Sequence, residues 1–286
     1  LDQHVSEILP DFAANGKNAI TIRHLLTHTS GFRSMIDLET DIQAWDQTIR
    51  RVCASRIENK WIPGEKAGYQ IRSSWFMLAE IIRRLDGRSF DLYVREEIFV
   101  PLSMDDCWIS MNRELSAEYG DRLSGVYDTS GINPERQSFR DDPTFIERCD
   151  PGASGRGPAR QLAYFYEALM GGGQRCGRRI ILPQTAETLI SRHRTGMYDN
   201  TFQHVMDWGL GFVVNSSIYG AETVPYGFGR HAGPRTFGHC GRETSAAFAD
   251  PDAGLVVTLI VDGMPGNDKH HKRFNELLSL IYESIL

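Results

Sequence analysis

Three short stretches of this chain carry residue types that acyl-transfer chemistry uses. A His-Thr-Ser-Gly loop occupies residues 28–31, Tyr69 follows a Trp-Ile-Pro-Gly turn at 61–64, and a His-Cys-Gly run at 239–241 precedes an apolar strand. A hydroxyl group attacks a carbonyl carbon once a neighbouring base withdraws its proton, and the same relay must later protonate the leaving group. A tyrosine and a histidine suit such a relay, but these stretches supply no evident nucleophile.

The first third of the chain has the periodicity of helices. Apolar residues recur at helical spacing over 22–26 and again over 75–85, where Gly87 follows as a stop signal. Ser89 is typical of the N-cap of a further helix, and Pro101 ends that helix. These elements must position Tyr69 and the loop at 28–31.

The middle of the chain contains a long stretch without helical periodicity. Residues 106–155 are polar and rich in Pro and Asp, which predicts long loops that rim a pocket. Pro158, a residue favoured in the first turn, begins another helix that stops at the glycines of 171–173. We therefore expect a mostly helical lobe over about 15–175.

The period changes after about residue 205. Short β-branched or alternating runs predict antiparallel strands at 208–214, 244–249 and 255–261. The Asp-Pro-Asp-Ala-Gly sequence at 250–254 predicts a hairpin turn, and residues 273–285 place apolar side chains on one helical face that should pack on the sheet. The expected fold is α+β, a single domain over 1–286 whose sheet and closing helix occupy about 205–286.

Composition limits the classes of partner. The 286 residues include 31 Lys and Arg against 37 Asp and Glu, for a net charge of -6. A mildly acidic surface repels phosphate backbones, which argues against nucleic acid as a partner. No apolar run reaches the roughly 20 residues that span a bilayer, and the basic cluster at 269–273 indicates a solvated helix face.

The five cysteines lie far apart in the sequence. They are Cys53, Cys107, Cys149, Cys176 and Cys240. Their odd number and the lack of C-x-x-C spacing argue against zinc or a redox pair, so unpaired thiols favour a reducing compartment such as the cytoplasm. The first ten residues lack the basic start and apolar centre of a signal peptide, which says little about export if the chain begins within a longer protein.

Four blocks in order resemble the serine β-lactamase and penicillin-binding-protein-like hydrolases. The blocks are residues 20–31, the Trp-x-Pro-Gly turn at 61–64, residues 98–104, and residues 237–241 followed by 248–251 and a strand. The resemblance covers nearly the whole chain and is nearest to class C β-lactamase-like esterases and peptidases. It implies a β-lactamase/transpeptidase-like fold, a small ester, amide or β-lactam substrate, an acyl-enzyme, and no metal or organic cofactor.

The resemblance also implies roles for individual residues. In such hydrolases S-x-x-K holds the nucleophile, Y-x-N supplies a proton-relaying tyrosine, and K-T-G or H-x-G lines the pocket from a strand. Tyr69 matches the relay tyrosine, but Ile71 stands where the family has Asn or Ser, so that Arg72, Ser73 or Ser74 would have to make the polar contact. The ordinary pKa of Tyr69, near 10, would have to be lowered by a cation before the phenol could act as a base.

His239 matches the first position of H-x-G. Gly241 is then the small residue that lets substrate approach the strand, and the backbone N–H of Arg242 is one oxyanion donor. Cys240 fills the middle position of this substrate-binding run. No sequence feature places a base beside its thiol, so a buried strand thiol is favoured over a nucleophile.

Two other motifs are weaker. His24 and His28 are four residues apart, but no Glu follows His24 as in H-E-x-x-H, so both are interpreted as structural residues that bond the backbone of the following loop. Ser154 lies in a Gly-Ala-Ser-Gly run that resembles a nucleophile elbow. Arg156 stands where G-x-S-x-G requires its last glycine.

No serine in the 286 residues is followed three positions later by lysine. In the family the S-x-x-K segment precedes the part that resembles this chain, so we expect the nucleophile upstream of residue 1 and an uncovered sheet edge. Three interpretations stay open: a piece of a longer active hydrolase, one chain of a two-chain enzyme, or a non-catalytic ligand-binding or regulatory relative. In each of them this chain alone is expected to be inactive.

Overall fold

The computed structural model describes residues 1–32 and 44–285. The helices in these ranges are α1 Val5–Ile8, α2 Ile22–Leu26, α3 Trp45–Ala54, α4 Ser73–Asp86, α5 Phe90–Val94, α6 Arg113–Tyr119, α7 Pro143–Ile146, α8 Ala159–Met170, α9 Pro183–Ile190 and α10 Asn267–Glu283. Short 3-10 helices lie at Pro10–Gly16, Gly120–Arg122, Ser138–Asp141 and Ser217–Tyr219, and a π-helix at Arg95–Phe99. Within this part of the chain, no helix combines the length and apolar character needed to cross a membrane.

Most of the strands are short. They are β1 Tyr127–Asp128, β2 Glu135–Arg136, β3 Gln174–Arg175, β4 Arg178–Arg179, β5 Tyr198–Asp199, β6 His204–Val205, β7 Asp207–Trp208, β8 Val213–Val214, β9 Phe237–Gly241, β10 Ser245–Asp250, β11 Leu255–Ile260 and β12 Gly263–Met264. The main sheet is antiparallel with the order β11-β10-β9-β8-β7. Its edge strand β11 pairs, among the described residues, with β10 alone.

The main sheet lies between two helices. Successive strand side chains point to opposite faces, so Phe237, Ala247 and Ala249 pack with Tyr166 of α8. Phe248 on the opposite face packs with aromatic and leucine side chains of α10. This arrangement of a helical lobe with an antiparallel sheet and a C-terminal closing helix is the α+β fold.

A separate core holds the helical lobe together. Side chains of α2, α3 and α4 surround Phe12 and Phe32, whose rings meet edge to face at 5.1 Å. Helix α2 begins with a capping box in which the Thr21 hydroxyl accepts from the His24 backbone and His24 Nδ1 accepts from the Thr21 backbone. This core supports the loop that carries His28.

Three predicted elements differ from the structure. The strand expected at 208–214 is the hairpin of β7 and β8, because Gly211 turns the chain at φ 87° and Gly209 N–H bonds the Phe212 carbonyl. The closing helix expected from 273 begins at Asn267. Pro158 is the N-cap of α8 and not its first-turn residue, since its ψ of 143° is extended.

The region 106–155 contains more regular structure than the predicted loops. It holds α6, α7 and the pair β1 and β2, which forms a small sheet with β12. The helix face at 269–273, predicted to be solvated, is solvated only in part. His270 is 1% exposed and packs on Phe274, and Arg273 donates to the carbonyls of Glu243 and Gly263, so these two side chains lie on the packed side of α10.

Candidate active site

The first two motifs form one packed unit. Gly31, at φ 75°, lies so close to Trp61 that a Cβ at this position would be 2.1 Å from the indole ring. The Trp61 indole N–H donates to the Thr29 carbonyl at 3.0 Å, and the Gly64 N–H bonds the same oxygen at 3.1 Å. The turn at 61–64 is thereby held against the loop at 28–31.

Tyr69 lies in a cluster of rings from both lobes. Its ring stacks on Phe202 at 4.9 Å and on Trp208 at 5.5 Å between centroids. It meets His28 edge to face at 4.7 Å and His239 at 5.7 Å. The structure therefore brings Tyr69 and His239 together although they come from distant parts of the chain.

The surroundings of Tyr69 favour its neutral form. Burial raises the pKa of the phenol to about 12, and the hydrogen bond with Trp75 opposes this shift only in part. The neighbouring Tyr226, Asp199 and Asp150 contribute to the same rise. A basic role would require a cation that lowers the pKa of Tyr69. The described residues show no such lowering, and the phenol is protonated at neutral pH.

The two histidines beside Tyr69 have defined hydrogen bonds at Nδ1. His28 Nδ1 lies 3.4 Å from the N–H of Gln70 and accepts from it, which leaves the proton of the neutral ring on Nε2. His239 Nδ1 lies 2.9 Å from the Cys240 carbonyl and must donate to it, which leaves Nε2 as an acceptor. Burial lowers the pKa of both imidazoles, so both are neutral at pH 7.

Three ring nitrogens of this cluster are buried without a hydrogen-bond partner among residues 1–32 and 44–285. They are His28 Nε2, Trp208 Nε1 and His239 Nε2. The Trp208 ring contacts both histidines, with centroid distances of 4.6 Å to His28 and 5.7 Å to His239. Because buried polar atoms are nearly always paired, this cluster is where an additional polar group is expected to bind.

The third motif lies on the central strand β9. His239 is partly buried and pairs across the sheet with Ala247, on the face that carries the helical lobe. Gly241 ends the strand opposite Ser245, and a Cβ on Gly241 would lie 2.4 Å from the Ser245 hydroxyl. A larger residue at this position would therefore displace the Ser245 hydroxyl.

The neighbours of His239 and Gly241 do not share their face. Cys240 points to the opposite side of the sheet, where its sulfur lies 3.8 Å from the Tyr226 carbonyl, and burial raises the pKa of its thiol to about 12. Arg242 is exposed in the turn that follows β9. His239, and not its sequence neighbour Cys240, is thus the residue of this motif whose side chain meets the Tyr69 ring.

The substitutes proposed for the Y-x-N asparagine are occupied elsewhere. Ile71 is 56% exposed, and Arg72 forms an ion pair with buried Asp150 at 3.1 Å. Ser73 is buried and donates to the Phe32 carbonyl, while buried Ser74 donates to the Gln70 side chain. The polar contact normally made at this motif has no replacement at these three residues.

The weaker motifs take up structural roles. His24 was expected to bond the following loop, but it caps the start of its own helix because its ring reaches back to Thr21. Ser154 is buried and exchanges hydrogen bonds with the backbone of Asp150. Across the described part of the chain, no three His, Cys, Asp or Glu side chains are grouped as metal ligands.

Sequence reasoning missed several residues that shape the cluster. Trp75 bonds the Tyr69 phenol, Trp208 and Phe202 stack on its ring, and the Asp199 carboxylate accepts the Tyr69 N–H at 3.0 Å. The Asp-Asn-Thr run that begins at Asp199 is a turn signal that could have drawn attention to this segment. The contact of this segment with Tyr69 is long-range, and no local sequence pattern predicts it.

The comparison with known proteins decides the family. The sequence profile of the beta-lactamase family matches residues 1–280. The chain belongs to the beta-lactamase family. A solved structure of a penicillin-binding protein homolog from Caulobacter crescentus superposes with a TM-score of 0.76 at 28% identity, covering 99% of this chain and 76% of the homolog.

Two curated relatives support the same family. This beta-lactamase-family chain is 22% identical over 284 residues to the esterase/beta-lactamase LipL of Mycobacterium tuberculosis (strain ATCC 25618 / H37Rv), covering 90% of the chain and 62% of LipL. It is 25% identical over 283 residues to penicillin-binding protein 4 of Amycolatopsis lactamdurans, covering 97% of the chain and 69% of that protein. The chain thus spans only about 62% of the length of LipL.

Proposed function

We propose that the protein containing this chain is a serine hydrolase that forms an acyl-enzyme with a carboxylic ester, an amide or a β-lactam. The observation that carries the proposal is the contact between the Tyr69 and His239 rings, 5.7 Å between centroids, within a beta-lactamase-family chain. Relatives named as an esterase/beta-lactamase and a penicillin-binding protein support this class of reaction.

Tyr69 is proposed to donate a proton to the leaving group. Its phenol is protonated at pH 7, because burial raises its pKa to about 12. A lysine ammonium beside the phenol would lower this pKa and let Tyr69 exchange protons in both directions. The S-x-x-K pair of the family would supply such a lysine together with the nucleophile.

The nucleophile is proposed to be the serine of an S-x-x-K pair outside these 286 residues, since the chain contains no such pair. A serine hydroxyl offers one proton and two lone pairs. The cluster offers the complementary set: His239 Nε2 can accept, while the ring N–H groups of His28 and Trp208 can donate. The unpartnered nitrogens therefore favour a hydroxyl group in this place.

The end of β9 is proposed to hold the acyl group. The backbone N–H of Arg242 would be one donor to the developing oxyanion, and Gly241 would let the substrate approach the strand. Cys240 would contribute its backbone alone, because its side chain lies on the opposite face of the sheet. These roles complete a site in which both lobes contact the substrate.

A fluorophosphonate probe tests the proposal on the full-length protein. The expected result is one covalent adduct on the serine of S-x-x-K, located by peptide mass spectrometry, that heat-denatured protein does not form. Folded protein without any serine adduct would refute the hydrolase. An adduct on Ser73, Ser74 or Ser154, which are buried here, would refute the assigned nucleophile.

A second candidate is a non-catalytic ligand-binding or regulatory relative of the same fold. The raised pKa of Tyr69 favours it, because a phenol of this kind is a poor base. Benzylpenicillin distinguishes the two. A rise in melting temperature with no acylated species in the intact mass spectrum supports the binding protein, whereas a mass increase by one penicilloyl group supports the enzyme.

A further inference from the structure

Residues 199–202 form hydrogen bonds with the backbone at Ala67 and Tyr69. Asn200 donates to the Ala67 carbonyl through its backbone N–H at 2.9 Å and through its side chain at 2.8 Å. The Tyr69 N–H donates to Asp199 Oδ1 at 3.0 Å, and the Thr201 hydroxyl donates to the Tyr69 carbonyl at 2.9 Å. Both backbone polar groups of Tyr69 are therefore bonded by this one segment.

The Asp199 carboxylate is the centre of these contacts. Besides Tyr69, its Oδ1 accepts from the N–H groups of Thr201 at 2.9 Å and Phe202 at 3.1 Å. Its Oδ2 accepts from Arg194 at 3.0 Å, in an ion pair whose side chains are 1% and 0% exposed. A buried carboxylate with this many donors is held in one orientation.

Arg194 extends the network to the loop at 28–31. Its second terminal nitrogen donates to the Thr27 carbonyl at 3.0 Å, directly before His28. Its guanidinium also lies 5.1 Å from the centroid of the Trp208 ring. The ion pair thus connects the segments that carry Tyr69, His28 and Trp208.

Regular secondary structure does not provide this support. Residues 68–70 belong to neither a helix nor a strand, and Ala67 forms only an isolated bridge with Asp199. The stacking of Phe202 on Tyr69 comes from the same segment as the hydrogen bonds. Residues 199–202 therefore hold the backbone of Tyr69 and also stack on its ring.

We propose that Asp199 and Thr201, with Arg194 behind them, are positioning residues that hold the Tyr69 phenol beside His239. The effect of this positioning on turnover rests on the proposed function, in which Tyr69 transfers protons. A misplacement of about 1 Å at a reacting group costs roughly a hundredfold in rate. Loosening of the segment is therefore expected to lower kcat by about tenfold to a hundredfold with a smaller change in KM.

The test uses full-length protein labelled with 3-fluorotyrosine. The Tyr69 resonance in the 19F NMR spectrum is assigned by its loss in Tyr69→Phe. Thr201→Val removes the hydroxyl but keeps the side-chain shape, and Thr201→Ser is the matched control that keeps the hydroxyl. We expect Thr201→Val and Asp199→Asn to shift or broaden the Tyr69 resonance, while Thr201→Ser retains its wild-type position.

The kinetic readout separates this inference from the proposed function. If the full-length protein lacks hydrolase activity, the proposed function fails, while the Tyr69 resonance still tests the positioning. An unchanged Tyr69 resonance in folded Thr201→Val overturns the positioning role, even if Asp199→Asn does not fold. A shifted resonance with wild-type kcat overturns the link between this positioning and turnover.

Discussion

The helical core and the ring cluster around Tyr69 differ in whether their buried polar atoms have hydrogen-bond partners. In the core, fully buried Lys17 donates to three backbone carbonyls, those of Ala14, Cys53 and Ser55. Glu80, also fully buried, accepts from the side chains of Trp45, Arg83 and Arg84. Each of these charges has its partners within the described residues.

In the ring cluster, the nitrogens His28 Nε2, Trp208 Nε1 and His239 Nε2 have no hydrogen-bond partner in the part of the chain that the structure describes. An unpartnered buried polar atom destabilises the fold by about 1–3 kcal/mol, whereas a fully bonded one does not. Under the proposed function, the polar groups of the core serve stability, while those of the cluster bind the nucleophile. Four changes would break or sharpen this contrast.

The largest effect is expected at Tyr69. In the full-length protein, Tyr69→Phe should lower turnover of a chromogenic ester by about a hundredfold to ten-thousandfold, as loss of a general acid–base group does. Tyr282→Phe is the matched control, because it also deletes a buried phenol hydroxyl, which donates to Asp250 at 2.7 Å. Steady-state kinetics on folded protein measure the turnover of both variants. Near-normal turnover in Tyr69→Phe would show that Tyr69 has a structural role only.

The next effect concerns the stability of the core. Lys17→Met leaves three carbonyls without their donor, so the free energy of unfolding should fall by about 3 kcal/mol. Lys269→Met, at an exposed position on α10, should change it by less than about 0.5 kcal/mol. Urea unfolding followed by circular dichroism gives the free energy of unfolding of both variants. Equal losses would contradict the claim that the three hydrogen bonds of Lys17 stabilise the core.

A smaller effect should appear in acid. Burial holds the pKa of His28 well below its ordinary value, so the unfolded chain binds a proton that the folded chain does not. The stability from this residue is complete above about pH 6.5 and is lost as the pH falls, by at most about 1.4 kcal/mol per pH unit. His28→Asn should therefore make the acid side of the stability curve shallower.

Asparagine is suited to this position for two reasons. His28 has a φ of 55°, which asparagine tolerates, and the Asn carbonyl can accept the Gln70 N–H as Nδ1 does. Urea titrations at several pH values between 7 and 5 give the slope, with His231→Asn at an exposed histidine as control. An unchanged slope in His28→Asn would show that its ring is charged or accessible.

The smallest effect compares two buried indoles. Trp61 donates its ring N–H to the Thr29 carbonyl, whereas the Trp208 ring N–H has no partner among the described residues. Both Trp→Phe changes remove the same atoms, so Trp61→Phe should be more destabilising than Trp208→Phe by about 1 kcal/mol. Thermal unfolding of the two variants measures the difference, and the opposite order would mean that the Trp208 nitrogen is satisfied.

The sequence predicts those parts of the fold and site that depend on local pattern. The period-two alternation of 237–241 is enough to separate His239 from Cys240 on the two faces of a strand. The stop signal at Gly87 agrees with the end of α4 at Asp86. The ordered motifs give the family, which the profile match over 1–280 confirms.

Long-range contacts and protonation could not be read in this way. The bond from Tyr69 to Asp199 joins segments 130 residues apart, and no periodicity reports such a pairing. The pKa of Tyr69 depends on burial by rings from the sheet lobe, so the sign of its shift follows only from the packing. The bond from Arg273 of α10 to the Glu243 carbonyl likewise joins distant segments.

The close packing of Gly31 on Trp61 joins two motifs into one evolutionary unit. A side chain at Gly31 would overlap the indole, and the positive φ there disfavours any other residue even with the ring removed. A smaller residue at Trp61 therefore cannot compensate for a larger one at Gly31. Among relatives, we expect glycine at position 31 to persist even where position 61 carries a residue smaller than Trp, which a family alignment would reveal.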